Sequence, residues 1–591
     1  MSRVVGIDLG TTHTALAFAE EDGPIEVLDV PQLVARGTIE ARPLLPSFLY
    51  LATAAERPLP LPWDDARGFA VGEYARARAV EAPGRVVASA KSWLCHSGID
   101  RRTTALPLGS QEDDLDKVTP VEASWRYLEH LSEAYARRFG ASLEGADVVL
   151  TVPASFDAAA RELTVEAAFA AGLEHVTLLE EPQAALYAWI AGRGDAWRKE
   201  LTPGDVLLVV DVGGGTTDFS AILATDAGGN LGLERVAVGD HILLGGDNMD
   251  LALAHVVRAK LDRDLDRWQM SALAFAARSA KERLLAEDAP ASAPVAVASR
   301  GSKLVGSTLR ADVTKDEARA VLVDGFFPDV PAAARPKARP RAALTELGLP
   351  YAHDPSVTAH LAAFLARHAR PGEAMLRPTA VLFNGGVLKA GAIRARVKAT
   401  IDRWLAEAGA PPVRELSGAD LDLGVARGAA AYGLVRRGKG LRIRGGTARA
   451  YYVGIEGAAP AVPGIEPPLT AVCVAPFGME EGTSAELAAE LGVVVGEHVT
   501  FRFFGSSSRK DDAVGAEVRK WGELEELAPI HVTLPAEGRA EGDVVPVRLR
   551  SEVTAIGTLE LEAVPVAPKD PKEKWKVELL LRAEDDQAAK P

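Results

Sequence analysis

The sequence predicts an α/β fold of two related lobes, followed by a small all-β domain. Three features support this prediction. Residues 1 to about 435 alternate between strand and helix patterns, which is typical of a sheet covered by helices. One strand–turn–strand pattern occurs twice within that region. From about residue 451, short alternating strands bounded by turn residues replace the helical patterns.

The repeated pattern is an aspartate, a glycine turn and a Thr-Thr pair between two apolar strands. The first copy, VVGIDLGTTHTALAFA, lies near the start of the sequence, and the second, LLVVDVGGGTTDFSAIL, begins at Leu207. Glycines let another molecule approach the main chain, and amides and threonine hydroxyls are donors that suit a phosphate group. Asp8 and Asp211 fit beside a phosphate if Mg²⁺ with a retained water shell bridges them. For the second copy alone, an ordinary glycine hairpin is an equal alternative, but two copies favour paired loops that grip one phosphate chain.

The other elements follow from hydrophobic periodicity and turn residues. Ser155 or Asp157 is the expected cap of an alanine-rich helix, because short polar side chains accept hydrogen bonds from the free amides of a helix start. The Pro-, Ala- and Arg-rich stretch 328–344 predicts an exposed loop. The predicted strands and helices are strand 147–153, helix 155–173, strand 176–182, the two strands flanking 211–218, a helix from near Asn248, helix 271–287, strand 379–386, a helix from about Ala390 and a last helical segment at 421–437.

The C-terminal part of the chain has a different sequence pattern, in which short strands replace the alternating strands and helices. Residues 437–450 are predicted to be a linker, since 438–446 form the glycine-rich basic sequence GKGLRIRGG. Residues 451–582 predict a β-rich domain, with strands in stretches such as PLTAVCVAPF, VVVGEHVTFRFF and GTLELEAVPV, and 583–591 predict a disordered tail. A structural appendage without a ligand is an alternative interpretation of this domain.

Composition and charge narrow the classes of function. A chain of 591 residues should contain several domains. The net charge of −16 argues against nucleic acid or anionic membrane as a main partner. The two cysteines, Cys95 and Cys473, are far apart, which predicts neither a disulfide nor a zinc site. No signal peptide or bilayer-length apolar run is found, so a cytoplasmic protein is expected.

Seven stretches together carry a resemblance to a known family. The common nucleotide and hydrolase signatures G-x-x-x-x-G-K-[ST], H-E-x-x-H and G-x-S-x-G are missing. The seven stretches are GIDLGTTHTALA, LTVPASFDAAAR, LEEPQAALYAW, VVDVGGGTTDFSAI, LLGGDNMD, LFNGGVLKAG and DLGVARGAAAYG. In order and spacing they resemble the actin-like ATPase domain of the DnaK-type chaperones, the heat shock protein 70 family. The resemblance implies an ATPase domain over residues 1–436, with lobes at about 1–192 and 205–436 closing on ATP or ADP with Mg²⁺. It also implies a following β-sandwich that binds extended polypeptide.

The resemblance further implies roles for individual residues. Lys91 and Glu181 match the lysine beside the γ-phosphate and the carboxylate that positions the attacking water, while Asp8 and Asp211 match the residues that hold the waters of Mg²⁺. Without the resemblance, Lys91 fits a surface lysine and Glu181 a solvated turn. The implied catalytic residues are Lys91, Glu181, Asp211 and Thr216. The implied nucleotide-binding residues are Gly10, Thr11, Thr12, Gly213, Gly214, Gly215, Thr217, Gly245, Gly246, Lys281, Gly385, Gly386 and Lys389.

Four departures from the family pattern predict altered behaviour. Lys389 replaces the arginine that stacks on adenine, and lysine is a poor substitute on an aromatic face. In helix 271–287 only Lys281 matches the adenine-pocket pattern, because Arg278 and Glu282 carry reversed charges. The sequence EEPQ at 180–183 replaces N-E-P-T, which weighs against contact with a J-domain co-chaperone. The apolar linker and the helical lid are absent, which predicts weaker coupling and faster peptide release.

The sequence therefore predicts an ATP-dependent, lidless chaperone-like protein that hydrolyses ATP slowly with Mg²⁺. Its expected partners are an unfolded or dedicated polypeptide and a nucleotide-exchange factor. Two alternatives stay open. One is a nucleotide-gated binding scaffold with little turnover, and the other is a small-molecule kinase of the same superfold, which would leave the β-rich domain unexplained.

Overall fold

The computed structural model of the chain contains two compact units. The first comprises Met1–Phe156, Leu163–Leu233 and Ala237–Arg442, and the second comprises Asp157–Glu162, Glu234–Val236 and Ile443–Pro591. The structure describes residues 3–579 except 21–22, 97–99, 227–230, 299–307, 339–347, 439–442, 444–446, 448, 458–467, 481, 507–508, 510, 520, 528, 537, 555–558 and 569–572. Most of the predicted linker, part of the 328–344 loop and the predicted tail therefore lie outside the described residues.

The chain up to Arg442 alternates strands and helices. Its strands are β1 (Val4–Leu9), β2 (His13–Ala19), β3 (Glu26–Val27), β4 (Val30–Ala35), β5 (Thr38–Arg42), β6 (Leu45–Pro46), β7 (Phe48–Leu51), β8 (Phe69–Val71), β9 (Val86–Ala88), β10 (Asp147–Val152), β11 (Val176–Glu180), β12 (Val206–Val212), β13 (Thr217–Asp226), β14 (Leu231–Val238), β15 (Ser292–Ala298), β16 (Thr308–Thr314), β17 (Ala380–Asn384) and β18 (Arg414–Glu415). Its helices are α1 (Glu73–Glu81), α2 (Ala90–Trp93), α3 (Pro120–Phe139), α4 (Ala158–Ala170), α5 (Glu181–Arg193), α6 (Trp197–Glu200), α7 (Gly246–Leu261), α8 (Arg267–Leu285), α9 (Lys315–Ala318), α10 (Val357–Arg367), α11 (Gly391–Glu407) and α12 (Gly424–Arg436).

Two sheets of this region have the same strand order. One runs β3-β2-β1-β10-β11, with β6 also paired to β2, and the other runs β14-β13-β12-β17-β18. In each sheet the first strand in the chain is antiparallel to the second and parallel to the strand on its other side. The two DxG…TT turns, β1–β2 and β12–β13, therefore occupy equivalent positions in two sheets of the same topology.

Small residues on helix α12 allow close packing against the first sheet and helix α5. A Cβ atom added at Gly428 would lie 1.7 Å from the carbonyl oxygen of Ala184. One added at Gly6 on β1 would lie 2.2 Å from the amide nitrogen of Ala430. The backbones of α12, α5 and β1 are so close that only small side chains fit between them. This close contact explains the glycines of α12, since glycine is a poor helix former.

Several predicted element boundaries are wrong by a few residues, and each shift has a local cause. The strand predicted at 176–182 ends at Glu180, because Glu181 and Pro182 form the first turn of α5, a position that proline tolerates. Helix α8 begins at Arg267 instead of Ser271. The Asp266 carboxylate accepts from the amide of Gln269 at 2.7 Å, and the Gln269 side chain accepts from the amide of Asp266 at 3.2 Å, which is a capping box.

The cap of α4 agrees with one of the two predicted alternatives. The amide of Ala160 donates to Asp157 Oδ1 at 2.6 Å, so Asp157 is the capping residue.

Among the described residues, no helix is long and apolar enough to cross a bilayer.

The chain after Ile443 forms an all-β unit whose two main sheets share one apolar core. The sheets run β24-β20-β19-β23-β25 and β21-β27-β28-β29, and β22 pairs with β26. The core combines Tyr451, Val472 and Phe503 of the first sheet with Val547 and Leu561 of the second. The strands are β19 (Ala450–Glu456), β20 (Leu469–Ala475), β21 (Ser484–Val494), β22 (His498–Phe501), β23 (Phe503–Ser506), β24 (Glu517–Val518), β25 (Glu525–Glu526), β26 (Ile530–Thr533), β27 (Val544–Val553), β28 (Leu559–Pro565) and β29 (Trp575–Leu579).

One predicted strand of this unit is wrong. The apolar run 493–504 is divided among the end of β21, all of β22 and the start of β23. Gly496 adopts a φ of 80°, a left-handed conformation that ends a strand, and this glycine marks the break. Periodicity alone does not reveal this break, because apolar residues recur on both sides of it, at 493–495 before Gly496 and at Val499 and Phe501 after it.

Candidate functional site

The two predicted phosphate hairpins meet in the structure. A Cβ atom added at Gly214 would lie 2.1 Å from Thr12 Cγ2, and one added at Gly215 would lie 2.8 Å from Thr11 Cγ2. Gly213 closes the second turn by donating from its amide to the Thr216 carbonyl at 2.9 Å. The second turn can approach the first this closely because glycine has no side chain.

A third glycine turn, at the start of α7, holds the second hairpin. The amide of Gly246 donates to the Gly213 carbonyl at 3.0 Å, and the amide of Asp247 donates to the Gly214 carbonyl at 2.7 Å. The buried Thr217 hydroxyl donates to the Leu244 carbonyl at 2.7 Å. Thr217, predicted as a phosphate donor, therefore uses its hydroxyl within the protein to hold the two turns together.

Asp8 and Asp211 occupy equivalent positions and have equivalent polar neighbours. Thr151, opposite Asp8 on the adjacent parallel strand, donates to Asp8 Oδ1 at 3.1 Å. Asn384, opposite Asp211 on its own parallel neighbour, donates to Asp211 Oδ2 at 2.7 Å. Sequence reasoning missed both partners. A usable signal was that each is the last polar residue of a predicted strand, but the parallel pairing that places it opposite an aspartate was not predicted.

Lys91 and Glu181 form a buried ion pair beside these aspartates. Both side chains are mostly buried, and the Lys91 ammonium lies 5.8 Å from the centre of the Phe156 ring. Lys91 belongs to the short helix α2, which follows Ser89 in a left-handed backbone conformation. Glu181 is the first residue of α5, where the helix dipole favours a negative charge.

Burial and mutual repulsion raise the pKa of the carboxylates in this cluster. Burial, followed by the charge of Glu181, raises the pKa of Asp8 to about 7 and raises that of Asp211 well above its ordinary value. Burial also raises the pKa of Glu181, although Lys91 opposes the shift. For Lys91, burial lowers the pKa, but the charges of Glu181 and Asp8 outweigh it and the net shift is upward. The site therefore carries an excess of negative charge that a cation would neutralise.

This charge excess is the observation that fits Mg²⁺. In the described ranges, no group of three or more His, Cys, Asp or Glu side chains is arranged to hold a metal ion. Mg²⁺ commonly keeps several waters and uses one or two carboxylates together with substrate phosphates. Asp8 and Asp211 have the chemistry for that arrangement.

Four residues were predicted on the nucleoside side of the site, where the adenosine of the nucleotide would bind: Lys281, Gly385, Gly386 and Lys389. Only some of them lie near the phosphate turns. Lys281 donates to the Gly246 carbonyl at 2.9 Å and pairs with Asp250 at 2.7 Å. Gly385, with φ at 89°, is close enough to Asp211 that an added Cβ would lie 2.6 Å from its Oδ1 atom. A Cβ added at Gly386 would meet no atom within 4 Å, so this position borders open space. Lys389 instead forms an ion pair with Asp422.

The reversed charge of Arg278 is neutralised inside the protein. Its guanidinium donates to Asp250 at 2.7 Å and to Asp247 at 2.5 Å, and it stacks over the Phe48 ring at 5.4 Å. Ser89 also donates to Asp247. Arg278 therefore holds the first turns of α7, and the two carboxylates neutralise its charge.

Sequence reasoning also missed Ser92, the residue that follows Lys91 in α2. A Cβ atom added at Gly215 would lie 2.6 Å from Ser92 Oγ, so this hydroxyl faces the glycine turn of the second hairpin. No motif in the sequence marks Ser92, because a serine in a short helix has no pattern of its own.

Comparison with known proteins identifies similar chains. Residues 62–316 match the family model described as Hsp70 protein, a range that includes Lys91, Glu181 and the second hairpin but not the first. The protein named chaperone protein HscA homolog of Methylococcus capsulatus is 34% identical over 317 residues, which cover 52% of this chain and 45% of the relative. Chaperone protein HscA of Cronobacter sakazakii is 34% identical over 282 residues, covering 45% and 40%. A homolog of the same name from Aeromonas salmonicida is 33% identical over 297 residues, covering 48% and 42%. The chain thus spans less than half the length of these relatives.

Proposed function

Because this chain belongs to the heat shock protein 70 family, we propose that it is a chaperone-like ATPase that hydrolyses ATP slowly with Mg²⁺. In this proposal residues 1–436 are a two-lobed, actin-like ATPase domain, and the β-rich domain at 451–582 binds a polypeptide. The contact between Gly214 and Thr12 carries the proposal, because it brings together two glycine–threonine turns from two sheets of the same topology.

The phosphates of ATP would be held by main-chain amides and hydroxyls of the two turns. Thr11 and Thr12 would donate from one turn and the glycine turn that ends at Thr216 from the other. Mg²⁺, when bound, would neutralise charge on the phosphate oxygens, and Asp8 and Asp211 would hold it through water. The excess negative charge of the cluster supports that assignment.

Lys91 and Glu181 would carry the hydrolysis. The Lys91 ammonium would stabilise the negative charge that develops on the terminal phosphate. The Glu181 carboxylate would accept a hydrogen bond from the attacking water and so orient it. Their ion pair keeps both groups in one place before the substrate arrives, which lowers the entropy cost of reaching the reacting geometry.

Phosphate release from ATP by the purified protein tests this proposal. Lys91→Ala and Asp211→Ala should each lower the rate at least about 100-fold, the scale of one lost charge-stabilising group. Lys260→Ala is the matched control, since this lysine pairs with Glu317 at the surface and should leave the rate unchanged. Unaltered hydrolysis in both site variants would reject the assignment.

A nucleotide-gated scaffold with little turnover is the second candidate function. The nucleoside side favours this candidate, because the two cations there are already paired within the protein. Lys389 pairs with Asp422, and Arg278 pairs with Asp247 and Asp250. Retention of ATP for hours without product, together with nucleotide-dependent binding of one polypeptide by the β-rich domain, would support the scaffold over the ATPase.

A further inference from the structure

The Ser92 hydroxyl is a buried polar group that the proposed mechanism leaves without a role. Ser92 is only 2% exposed to solvent. Among the residues that the structure describes, Ser92 Oγ has no hydrogen-bond partner. A buried hydroxyl without a partner is destabilising, since it has lost its water and gained nothing in return. Such a group therefore requires an explanation.

The position of this hydroxyl points to a ligand in the phosphate site. A Cβ atom added at Gly215 would lie 2.6 Å from Ser92 Oγ, 2.8 Å from Thr11 Cγ2 and 3.3 Å from Thr11 Oγ1. Ser92 thus lies where the two hairpins and helix α2 converge. Its neighbour in α2 is Lys91, which pairs with Glu181 at the same place.

We propose that Ser92 Oγ donates a hydrogen bond to the terminal phosphate of a bound nucleoside triphosphate. The inference rests on the proposed nucleotide site and adds one residue to it. A serine hydroxyl can rotate to donate to an anionic oxygen, and hydrogen bonds to charged acceptors are about twice as strong as neutral ones. Because Ser92 Oγ and Thr11 both lie against Gly215, where the two turns would hold the end of the phosphate chain, the hydroxyl would contact the phosphate that ATP has and ADP lacks. Ser92 therefore helps the protein to distinguish ATP from ADP.

This role predicts effects of opposite sign on stability and on binding. Ser92→Ala removes an unsatisfied hydroxyl, so the nucleotide-free protein should melt at a higher temperature than the wild type. The same change removes a donor to the terminal phosphate, so affinity for ATP should fall about 10-fold while affinity for ADP changes less than 2-fold. A hydroxyl with a purely structural role would give a loss of stability and no difference between the nucleotides.

Ser124→Ala is the matched control. Ser124 is also fully buried, but its hydroxyl donates to the Pro120 carbonyl at 2.9 Å. This control should melt at a lower temperature and bind both nucleotides as the wild type does. Ser92→Thr, which keeps the hydroxyl, should retain most of the preference for ATP.

Two measurements decide the proposal, melting without nucleotide and calorimetric titration with ATP or ADP in the presence of Mg²⁺. Equal loss of affinity for both nucleotides in Ser92→Ala, or unchanged affinity for ATP, would overturn the role of Ser92 while leaving the proposed nucleotide site intact. Absence of any nucleotide binding by the wild type would instead reject the proposed function. The melting temperature is measured without nucleotide, so a lowered value in Ser92→Ala would overturn the premise that the hydroxyl is unsatisfied, whatever the titrations show.

Discussion

Lys91 and Glu181, 90 residues apart in the sequence, form a buried ion pair at the start of helix α5. The pair lies next to Asp8 and Asp211, whose pKa values are raised by burial and by the charge of Glu181. The Lys91 ammonium therefore offsets charge from several carboxylates at once. One ammonium group beside three carboxylates leaves negative charge that a further cation would neutralise in a nucleotide site.

Glu181→Gln should separate binding from hydrolysis. The substitution keeps the size of the side chain but removes the carboxylate that would orient the attacking water. We expect kcat to fall about 10- to 100-fold, in the range of general-base and positioning effects, while the affinity for ATP changes little. Steady-state kinetics together with calorimetric affinities measure the two effects. An equal loss of affinity and kcat would assign Glu181 to nucleotide binding instead.

Asp211→Asn should stabilise the nucleotide-free protein. Because burial and the charge of Glu181 raise the pKa of Asp211, folding disfavours the ionised carboxylate, and a neutral amide removes that cost. The amide oxygen can still accept from Asn384. The stabilisation of the wild type by Mg²⁺ and ATP should be lost in this variant, which melting with and without ligand will show.

Asp205→Asn is the control for this prediction. Burial works against the ionised form of Asp205, but hydrogen bonds from Thr379 and Thr202 outweigh it and lower its pKa. The neutral variant should therefore be less stable than the wild type and should keep its response to nucleotide. If both variants shifted in the same direction, the electrostatic account of Asp211 would be wrong.

His130 should make the stability of the protein depend on pH between about 6.5 and 4. Its Nε2 atom donates to the Pro31 carbonyl at 2.9 Å, and burial lowers its pKa to about 4 from 6.5. In that interval the unfolded chain binds a proton that folded His130 does not, so the free energy of unfolding decreases as the pH falls, by up to about 3 kcal/mol. Below pH ~4 both states bind the proton and this contribution stays constant.

Urea unfolding at a series of pH values tests the His130 prediction. His130→Gln, which retains an N–H donor, should reduce the dependence between pH 4 and 6.5 by the share that His130 contributes. Burial also lowers the pKa of His13 to about 3, so part of the slope should remain in this variant. The exposed His255 provides the control, and His255→Gln should leave the dependence as it is. An unchanged slope in His130→Gln would contradict the role of His130.

Gly428→Ala should strongly destabilise the fold. An added Cβ would lie 1.7 Å from the Ala184 carbonyl oxygen, so helices α12 and α5 would have to separate at a cost of about 3 kcal/mol or more. Gly424→Ala on the same helix would place its Cβ no closer than 4.0 Å to any atom and should be neutral or stabilising by up to about 1 kcal/mol. Chemical unfolding of the two variants measures the difference, and similar stabilities would contradict the close packing.

Local signals predicted the elements around the site well. Both glycine–threonine turns were foreseen, and Asp157 was one of two residues proposed as a helix cap, because residue type alone favours a tight turn or a cap. The start of α8 was missed although Asp266 and Gln269 formed a readable capping box. The break at Gly496 was missed because apolar residues recur both before it and, from Val499, after it.

The remainder of the site depends on contacts between distant segments. Thr151 and Asn384 are adjacent to Asp8 and Asp211 only because their strands pair in one particular register. Ser92 faces Gly215 only because α2 packs against the second hairpin. The ion pair of Lys389 with Asp422 likewise joins a turn to the segment before α12. Single-sequence patterns carry no information about such pairings, and a resemblance supplies them only where the residues match.

The contact between the two turns is tested most directly by nucleotide titration of two glycine variants. Gly214→Ala would place a Cβ 2.1 Å from Thr12 Cγ2, whereas Gly424→Ala on α12, outside the proposed site, would come no closer than 4.0 Å to any atom. We predict that calorimetric binding of ATP with Mg²⁺ is lost or weakened at least about 100-fold in Gly214→Ala, since the turns can no longer approach each other, and stays within a few-fold of the wild type in Gly424→Ala. Equal affinities in the two variants would show that the paired turns do not form the nucleotide site.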